Sequence, residues 1–267
     1  MVTKSIPIYQ VDAFADQIFQ GNPAAICIME DLLPDRTLQS IAAENNLAET
    51  AFIWNHGDTF SIRWFTPTVE VDLCGHATLA SAFVLFNINP ALGRSVTFDS
   101  KSGPLFVTKG DDDLLILDFP RDQYAQAEYP PFLEAALGTQ VIDCIKGKSD
   151  YLVRIDNEKS LENLKPDFSM IRTLKSRGLI VTARGNEVDF VSRCFFPQSG
   201  IDEDPVTGSA HTTLIPYWSD LLHKNEFLAR QISPRGGTLY CTLRDQRVLI
   251  GGHAQLYLEG KIYVSGN

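Results

Sequence analysis

The sequence carries one pattern twice, 130 residues apart. Arg63-x-Phe65-x-Pro67 leads through Asp72 to Cys74, Gly75 and His76, and Arg193-x-Phe195-x-Pro197 leads through Asp202 to Asp204, Pro205 and Val206. The anchors at 63, 67, 74 and 80 recur at 193, 197, 204 and 210. In each copy a β-rich stretch gives way to a helical pattern of small residues, with a reactive side chain at the junction. That side chain is the thiol of Cys74 in one copy and the carboxylate of Asp204 in the other. So long an offset is not a solenoid period; it describes a doubled half-molecule. A chain of 267 residues is the right length for two medium domains. A doubled fold that aims one proton-handling group from each half into a shared cleft would suit moving protons on a small molecule.

Local patterns fill in each half. Strand-like runs occupy 6–14, 24–29, 51–54, 60–65, 95–98, 104–108 and 114–119, with Gly21-Asn22-Pro23 as turn chemistry between the first two. Asp35 is an N-cap candidate for a helix to about Asn45, whose inward stripe is Leu38, Ile41 and Ala42. The stretch from His76 to Phe86 is apolar on nearly every side, so its helix is expected to be wrapped by other structure. In the second half, strands are expected at 140–146, 150–155, 178–183 and 188–196, and short helices at 131–137, 158–164 and 168–174. A buried helix should start near Thr207 and be bent or shortened by Pro216. The tail is strand-rich at 238–243 and 247–252, then in two further runs, AQLYLEG and KIYV. The Pro-bounded polar segment 119–130 reads as a linker. The expected domains are therefore 1–118 and 119–267, with the last strand free to return to the first half. The fold class is α+β, two barrel-like halves each holding one engulfed helix.

Composition narrows the chemistry. With 23 basic and 33 acidic residues the net charge is −10, which argues against a nucleic acid or an anionic membrane as partner. The five cysteines are odd in number and form no CxxC pair, so neither a disulfide framework nor a zinc ribbon is expected. There is no signal-peptide apolar region and no apolar run of membrane-spanning length, so a reduced, cytoplasmic protein is the expectation. Asp111-Asp112-Asp113 reads as a hairpin turn rather than an acidic tail or a metal site. Dinucleotide, phosphate-loop, nucleophile-elbow and HExxH motifs are all missing.

Several side chains remain as candidates, each with a plain structural alternative. Asp204 precedes Pro205, which would sit in the first turn of a helix, leaving the amides of Thr207, Gly208 and Ser209 as an anion site. Equally, Asp204 could be only the N-cap. Cys74 at a helix start could have a lowered pKa and act as base or nucleophile, or it could be a small buried hydrophobe. His76 titrates near neutrality in its ordinary state, which suits a proton shuttle. Glu49 is flanked by Leu47, Ala48, Ala51 and Phe52, and an apolar setting would raise its pKa as a general base requires. On the residues alone, a surface charge at a helix end is the preferred reading of Glu49. His253 in a Gly-Gly-His turn reads as a turn residue, and His56, His211 and His223 show no metal-ligand spacing.

The segments VDAFADQIFQGNPAAI, NLAETAF, IRWFTPTVEVDLCGHATLASA, GIDEDPVTGSAH, QISPRGG and IGGHAQLYLEG together resemble the phenazine-biosynthesis PhzF-like family, which shares its fold with diaminopimelate epimerase. They run from the first strand to the last; CGHAT and EDPVTGSA are the specific ones. The resemblance implies two pseudosymmetric halves, each a β-barrel-like sheet around a central helix, with the active site between them. It implies Glu49 as the acid/base residue, Asp204 and His76 as proton-relay and substrate-holding groups, and Ser209 with the Gly75 and Gly208 amides as the carboxylate site. Cys74 and Asn22 are further candidates. The implied chemistry is isomerisation by proton transfer in a small carboxylate-bearing metabolite, without cofactor or metal, by a homodimer or monomer. Diaminopimelate epimerase uses a cysteine in each half, whereas this chain has Asp204 at the second position, which argues against a two-thiol epimerase. An epimerase using Cys74, and a binding protein that keeps the fold without catalysis, are the alternatives.

Overall fold

The structure, a computed structural model, describes residues 3–57 and 59–265. The chain forms two compact units, Met1–Asp118 with Gly251–Asn267, and Phe119–Ile250. The first part of the chain runs β1 (Thr3–Ala13), β2 (Asn22–Met29), α1 (Asp35–Asn45), β3 (Glu49–His56), β4 (Thr59–Phe65), β5 (Glu70–Val71), α2 (Gly75–Ile88), β6 (Ser95–Ser100), β7 (Gly103–Lys109) and β8 (Leu115–Pro120). There follow β9 (Ala125–Gln126), α3 (Leu133–Leu137), β10 (Asp143–Lys146), β11 (Tyr151–Arg154), α4 (Glu158–Glu162), α5 (Phe168–Ile171), β12 (Leu179–Arg184), β13 (Phe190–Phe196) and β14 (Ile201–Asp204). The chain closes with α6 (His211–Leu222), β15 (Glu226–Gln231), β16 (Gly237–Arg244), β17 (Arg247–Gly252) and β18 (Ala254–Ser265). The class is α+β, with one buried helix inside a curved sheet in each unit.

In the first unit β2 and β3 are parallel neighbours, Ala24 opposite Glu49, and a parallel pair needs a crossover, which α1 supplies. Both faces of these strands are covered, so they read as near-continuous apolar runs. Ala25, Cys27, Met29 and Phe52 pack with Leu38, Ile41 and Ala42 of α1. The alternate residues Ala24, Ile26, Ala51 and Ile53 are also buried, and α2 packs against β1, β2, β3, β7 and β18. α2 is buried from Gly75 through Ala82, as its all-round apolar sequence requires. β18 is one strand rather than the two runs expected, because it pairs with β1 along its full length and absorbs one register shift opposite Gln10 and Val11. Asp111–Asp113 forms the turn between the paired strands β7 and β8.

The second unit repeats the plan. Short helices α3, α4 and α5 cover one face of β11–β13, and α6 covers the other. Trp218 of α6 stacks on Phe190 at 5.5 Å and donates from Nε1 to Thr182 Oγ1 at 3.0 Å. Pro216 lies inside α6, which nevertheless continues to Leu222. A proline there deprives the Thr212 carbonyl of its helical partner, and the Asp122 amide fills the place at 3.1 Å. The segment expected as a linker is structured: it holds the end of β8 and then β9, which pairs with β10.

Both units share one device. Arg63 in β4 grips Glu70 in β5 through Nε (2.7 Å) and Nη2 (2.8 Å), and its guanidinium lies 5.1 Å from the Phe65 ring. Arg193 in β13 grips Glu203 through Nε and Nη2, both at 2.7 Å, and lies 5.3 Å from Phe195. Bidentate Arg–carboxylate pairs with so little solvent are strong and geometrically specific. Asp35, expected as an N-cap, is instead the first helical residue of α1 behind Pro34 and reaches Arg63 Nη1 at 2.7 Å.

The Arg63 hydrogen bonds hold the Glu70 carboxyl down at about 2, below its ordinary value near 4.5. A depressed folded-state pKa stabilises above the unfolded value and loses that effect as pH falls through the folded one. Glu70→Gln should therefore destabilise the protein near neutral pH by about 1.5–3 kcal/mol. The difference from wild type should shrink between pH 4.5 and 2. Urea unfolding of both proteins across that window checks it; a gap that stays constant would show that the ion pair contributes nothing.

Candidate functional site

Glu49, Asn22, Cys74 and His76 converge in the first unit. Asn22 opens β2 and Glu49 opens β3, at the N-terminal ends of adjacent parallel strands. Gly21 (φ +65°) makes this entry feasible, since a Cβ there would lie 2.2 Å from the Ala13 carbonyl oxygen. On the other side, α1 ends at Asn45 with Asn46 in the left-handed region, and the chain turns directly into Glu49. Cys74 is the extended N-cap of α2, and His76 lies in its first turn.

His76 Nε2 lies 3.3 Å from Glu49 Oε2, close but not aligned as a hydrogen bond. Asn22 Nδ2 lies 3.2 Å from His76 Nδ1, and Cys74 Sγ lies 3.5 Å from the same nitrogen. With the Asn22 amide donating to Nδ1, the ring proton sits on Nε2 and faces Glu49. The side chain of Glu49 is 14% exposed, so it is no surface charge at a helix end: it enters a strand and turns inward. Burial pushes His76 down to about 3. The expectation that it titrates near neutrality is thus corrected: desolvation penalises the imidazolium, and the ring is neutral at physiological pH.

Asp204, Gly208 and Ser209 lie in the second unit. Asp204 ends β14 opposite Cys194. It is not an N-cap, and Pro205 is not in a helical turn. Thr207 caps a short 3₁₀ turn, Gly208–Ala210, and α6 begins only at His211. The Thr207 hydroxyl donates to Asp204 Oδ2 at 2.5 Å. The Thr207 amide, expected to point at a ligand, instead donates to Gln231 Oε1 at 2.9 Å, while Gln231 Nε2 donates to the Asp204 carbonyl at 2.7 Å. Ser233 Oγ holds the Pro205 carbonyl at 2.7 Å. The QISPRGG segment is therefore the brace of the Asp204 loop. Gly208 is buried and Ser209 half-buried.

Sequence reasoning missed Arg177. Its Nη2 donates to Ser209 Oγ at 3.3 Å, its Nε donates to the buried Asp150 at 3.0 Å, and its guanidinium lies 5.2 Å from the Phe196 ring. Gly178 allows this packing: a Cβ there would meet Phe196 at 2.2 Å. No motif signals such a residue, because its partners come from three separate strand ends and loops. His253, read as a turn residue, does lie between β17 and β18, and its carbonyl accepts from Ala15 N at 3.0 Å.

The model of the phenazine biosynthesis-like protein family, PhzC-PhzF, matches residues 11–260. The chain belongs to this family. It is 47% identical over 260 residues to a Pseudomonas aeruginosa protein named an uncharacterized isomerase, with 97% of this chain and 99% of that one covered. It is 41% identical over 285 residues to the human phenazine biosynthesis-like domain-containing protein, covering 96% and 99%. A crystal structure of a PhzF family protein from Enterococcus faecalis superposes with a TM-score of 0.95 at 48% identity, covering 98% and 100%. A hydroxyproline epimerase from Agrobacterium vitis shares the fold at a TM-score of 0.64 with 9% identity, covering 97% and 93%.

The neutral state of His76 is directly measurable. Its ring carbon and nitrogen NMR shifts should stay flat from about pH 5 to 8, where an ordinary histidine titrates. An inflection near 6.5 would show that the ring is hydrated rather than buried.

Proposed function

We propose that this protein is an isomerase that moves a proton on a carbon of a small carboxylate-bearing metabolite, with Glu49 as the acid/base group. The observation that carries the reading is the 3.3 Å approach of Glu49 Oε2 to the neutral, buried His76 Nε2. A carboxylate beside a neutral imidazole can exchange a proton with a substrate while the imidazole N–H supports whichever oxygen carries charge. Asn22 fixes the ring orientation that this requires. The names of the bacterial relatives support the isomerase class. In the second unit we assign Asp204 a part in proton relay and in holding polar groups of the substrate, and Ser209, with Gly75 and Gly208, a part in binding its carboxylate. Arg177 beside Ser209 adds a cationic donor suited to an anion.

A second reading has its own observation. Cys74 Sγ lies 3.5 Å from His76 Nδ1, and a thiol beside an imidazole is a competent base for epimerisation. The two readings differ in what Cys74→Ala does.

The experiment begins by selecting small carboxylates that raise the melting temperature, then follows solvent deuterium uptake at each carbon of those that bind. Glu49→Gln should keep the fold and the thermal shift while lowering exchange roughly 100- to 10,000-fold. Asp204→Asn should slow exchange, and Cys74→Ala should be mild. A severe loss in Cys74→Ala would favour the epimerase. Exchange at the wild-type rate in Glu49→Gln would remove Glu49 from the centre of the reaction.

A further inference from the structure

Three side chains of the first unit form a mixed-donor set, in which the Cys74 thiol joins the Glu49–His76 pair without having a part in the leading isomerase reading. A carboxylate oxygen of Glu49, the Cys74 thiol sulfur and a ring nitrogen of His76 all lie within 4.8 Å of one another, the one such group among the described residues. Cys74 and His76 are buried, and Glu49 is nearly so. We propose that these three residues bind a thiophilic divalent cation, Zn²⁺ by chemistry, and that the bound ion silences the acid/base pair.

The donor types select the ion. Carboxylate, imidazole and thiolate together suit Zn²⁺ and exclude Mg²⁺ and Ca²⁺, which take oxygen ligands. A tetrahedral Zn²⁺ with bonds of ~2.0–2.3 Å holds its ligands about 3.4–3.7 Å apart. Glu49 Oε2 and His76 Nε2 already stand at 3.3 Å. The remaining closure, up to about 1.4 Å from the 4.8 Å bound on the set, falls to rotation of the Cys74 side chain, which hangs from an N-cap residue outside the rigid turns of α2. The neutral imidazole is the form that coordinates. When Nε2 takes the metal, the ring proton moves to Nδ1, and Asn22, already 3.2 Å away, accepts it through Oδ1 once its amide turns over. Binding releases the thiol proton, so affinity rises with pH. Three protein ligands leave a fourth position to water.

That Zn²⁺ binds does not depend on the proposed reaction; that it inhibits does, because the ion occupies Glu49 and His76. The test separates the two. Purified protein is titrated with Co²⁺, whose thiolate coordination gives a charge-transfer absorption, and with Zn²⁺ against a chromophoric chelator. Wild type should take up one ion with the thiolate band, and Cys74→Ser should lose the band and weaken binding by at least ~10-fold. His76→Asn and Glu49→Gln should each weaken binding comparably, while Cys144→Ser, which changes a buried cysteine in the other unit, should leave it unchanged. Thermal melts confirm that each variant is folded. Absence of stoichiometric uptake by the wild type, or a thiolate band that survives in Cys74→Ser, overturns the site. Uptake that leaves deuterium exchange at full rate overturns the inhibition and leaves the site.

Discussion

The organising interaction of both units is an arginine fork closed on a glutamate of the next strand. Arg63 with Glu70 and Arg193 with Glu203 each tie the last long strand before the helix to the short returning strand that leads to the site residue. The return fixes where Cys74 and Asp204 can stand: four residues after Glu70 in one unit, and immediately after Glu203 in the other. Burying an arginine costs several kcal/mol unless its donors are filled. Arg193 fills them with Glu203 and with the carbonyls of Leu161 and Leu164 at 3.2 and 3.0 Å. In the first unit the partially open edge brings in Asp35 on Arg63 and Lys101 on Glu70 instead. The same sequence signature thus yields one closed and one charge-shared version of a single joint.

With the joint fixed, the first unit can afford a histidine almost without water. His76 is 5% exposed, and the cost is its charge: the imidazolium is penalised until the ring is neutral at any physiological pH. A neutral ring has one donor and one acceptor. Asn22 and Cys74 gather at one nitrogen and Glu49 at the other, so the ring's two roles are divided by geometry rather than by pH. This is why Asn22, a turn residue by its neighbours and a further site candidate by resemblance, matters to the site: its amide on Nδ1 goes with the tautomer that carries the proton on Nε2.

The doubled plan, the engulfed helix α2 and the stripe of α1 were legible because periodicity and burial act locally. The runs at 24–29 and 51–54 were legible as strands for the same reason, but that both of their faces are buried shows only in the structure. What was hidden depends on partners distant in sequence. Pro216 promised a bent or shortened helix, and the Asp122 amide on the Thr212 carbonyl, which supplies the missing hydrogen bond, comes from 90 residues away in sequence. From its neighbours alone Glu49 read as a surface charge, because the His76 ring that its carboxylate meets lies 27 residues away in sequence. The titration of His76 was misjudged because a model-compound pKa contains no desolvation. Arg177 carried no signal at all, since its meaning lies in Asp150, Ser209 and Phe196.

The two copies also differ where the repeat is strictest, and the difference has chemical content. At position 74 the helix begins at once, so Cys74 is its N-cap and His76 lies in its first turn. At the matching position 204 the helix is delayed: a loop and a 3₁₀ turn intervene, and α6 starts only at His211. That delay needs a brace, because loop amides and carbonyls near a core must be satisfied. Gln231 and Ser233 supply it through Thr207, Asp204 and Pro205. The result is a carboxylate held by the Thr207 hydroxyl in one unit and a carboxylate held against a dry imidazole in the other. The two units thus hold chemically unlike carboxylates, Glu49 against His76 in the first and Asp204 against Thr207 in the second. The duplication provides the scaffold twice, and the six-residue delay before α6, from position 205 to His211, is the step that makes the copies unequal.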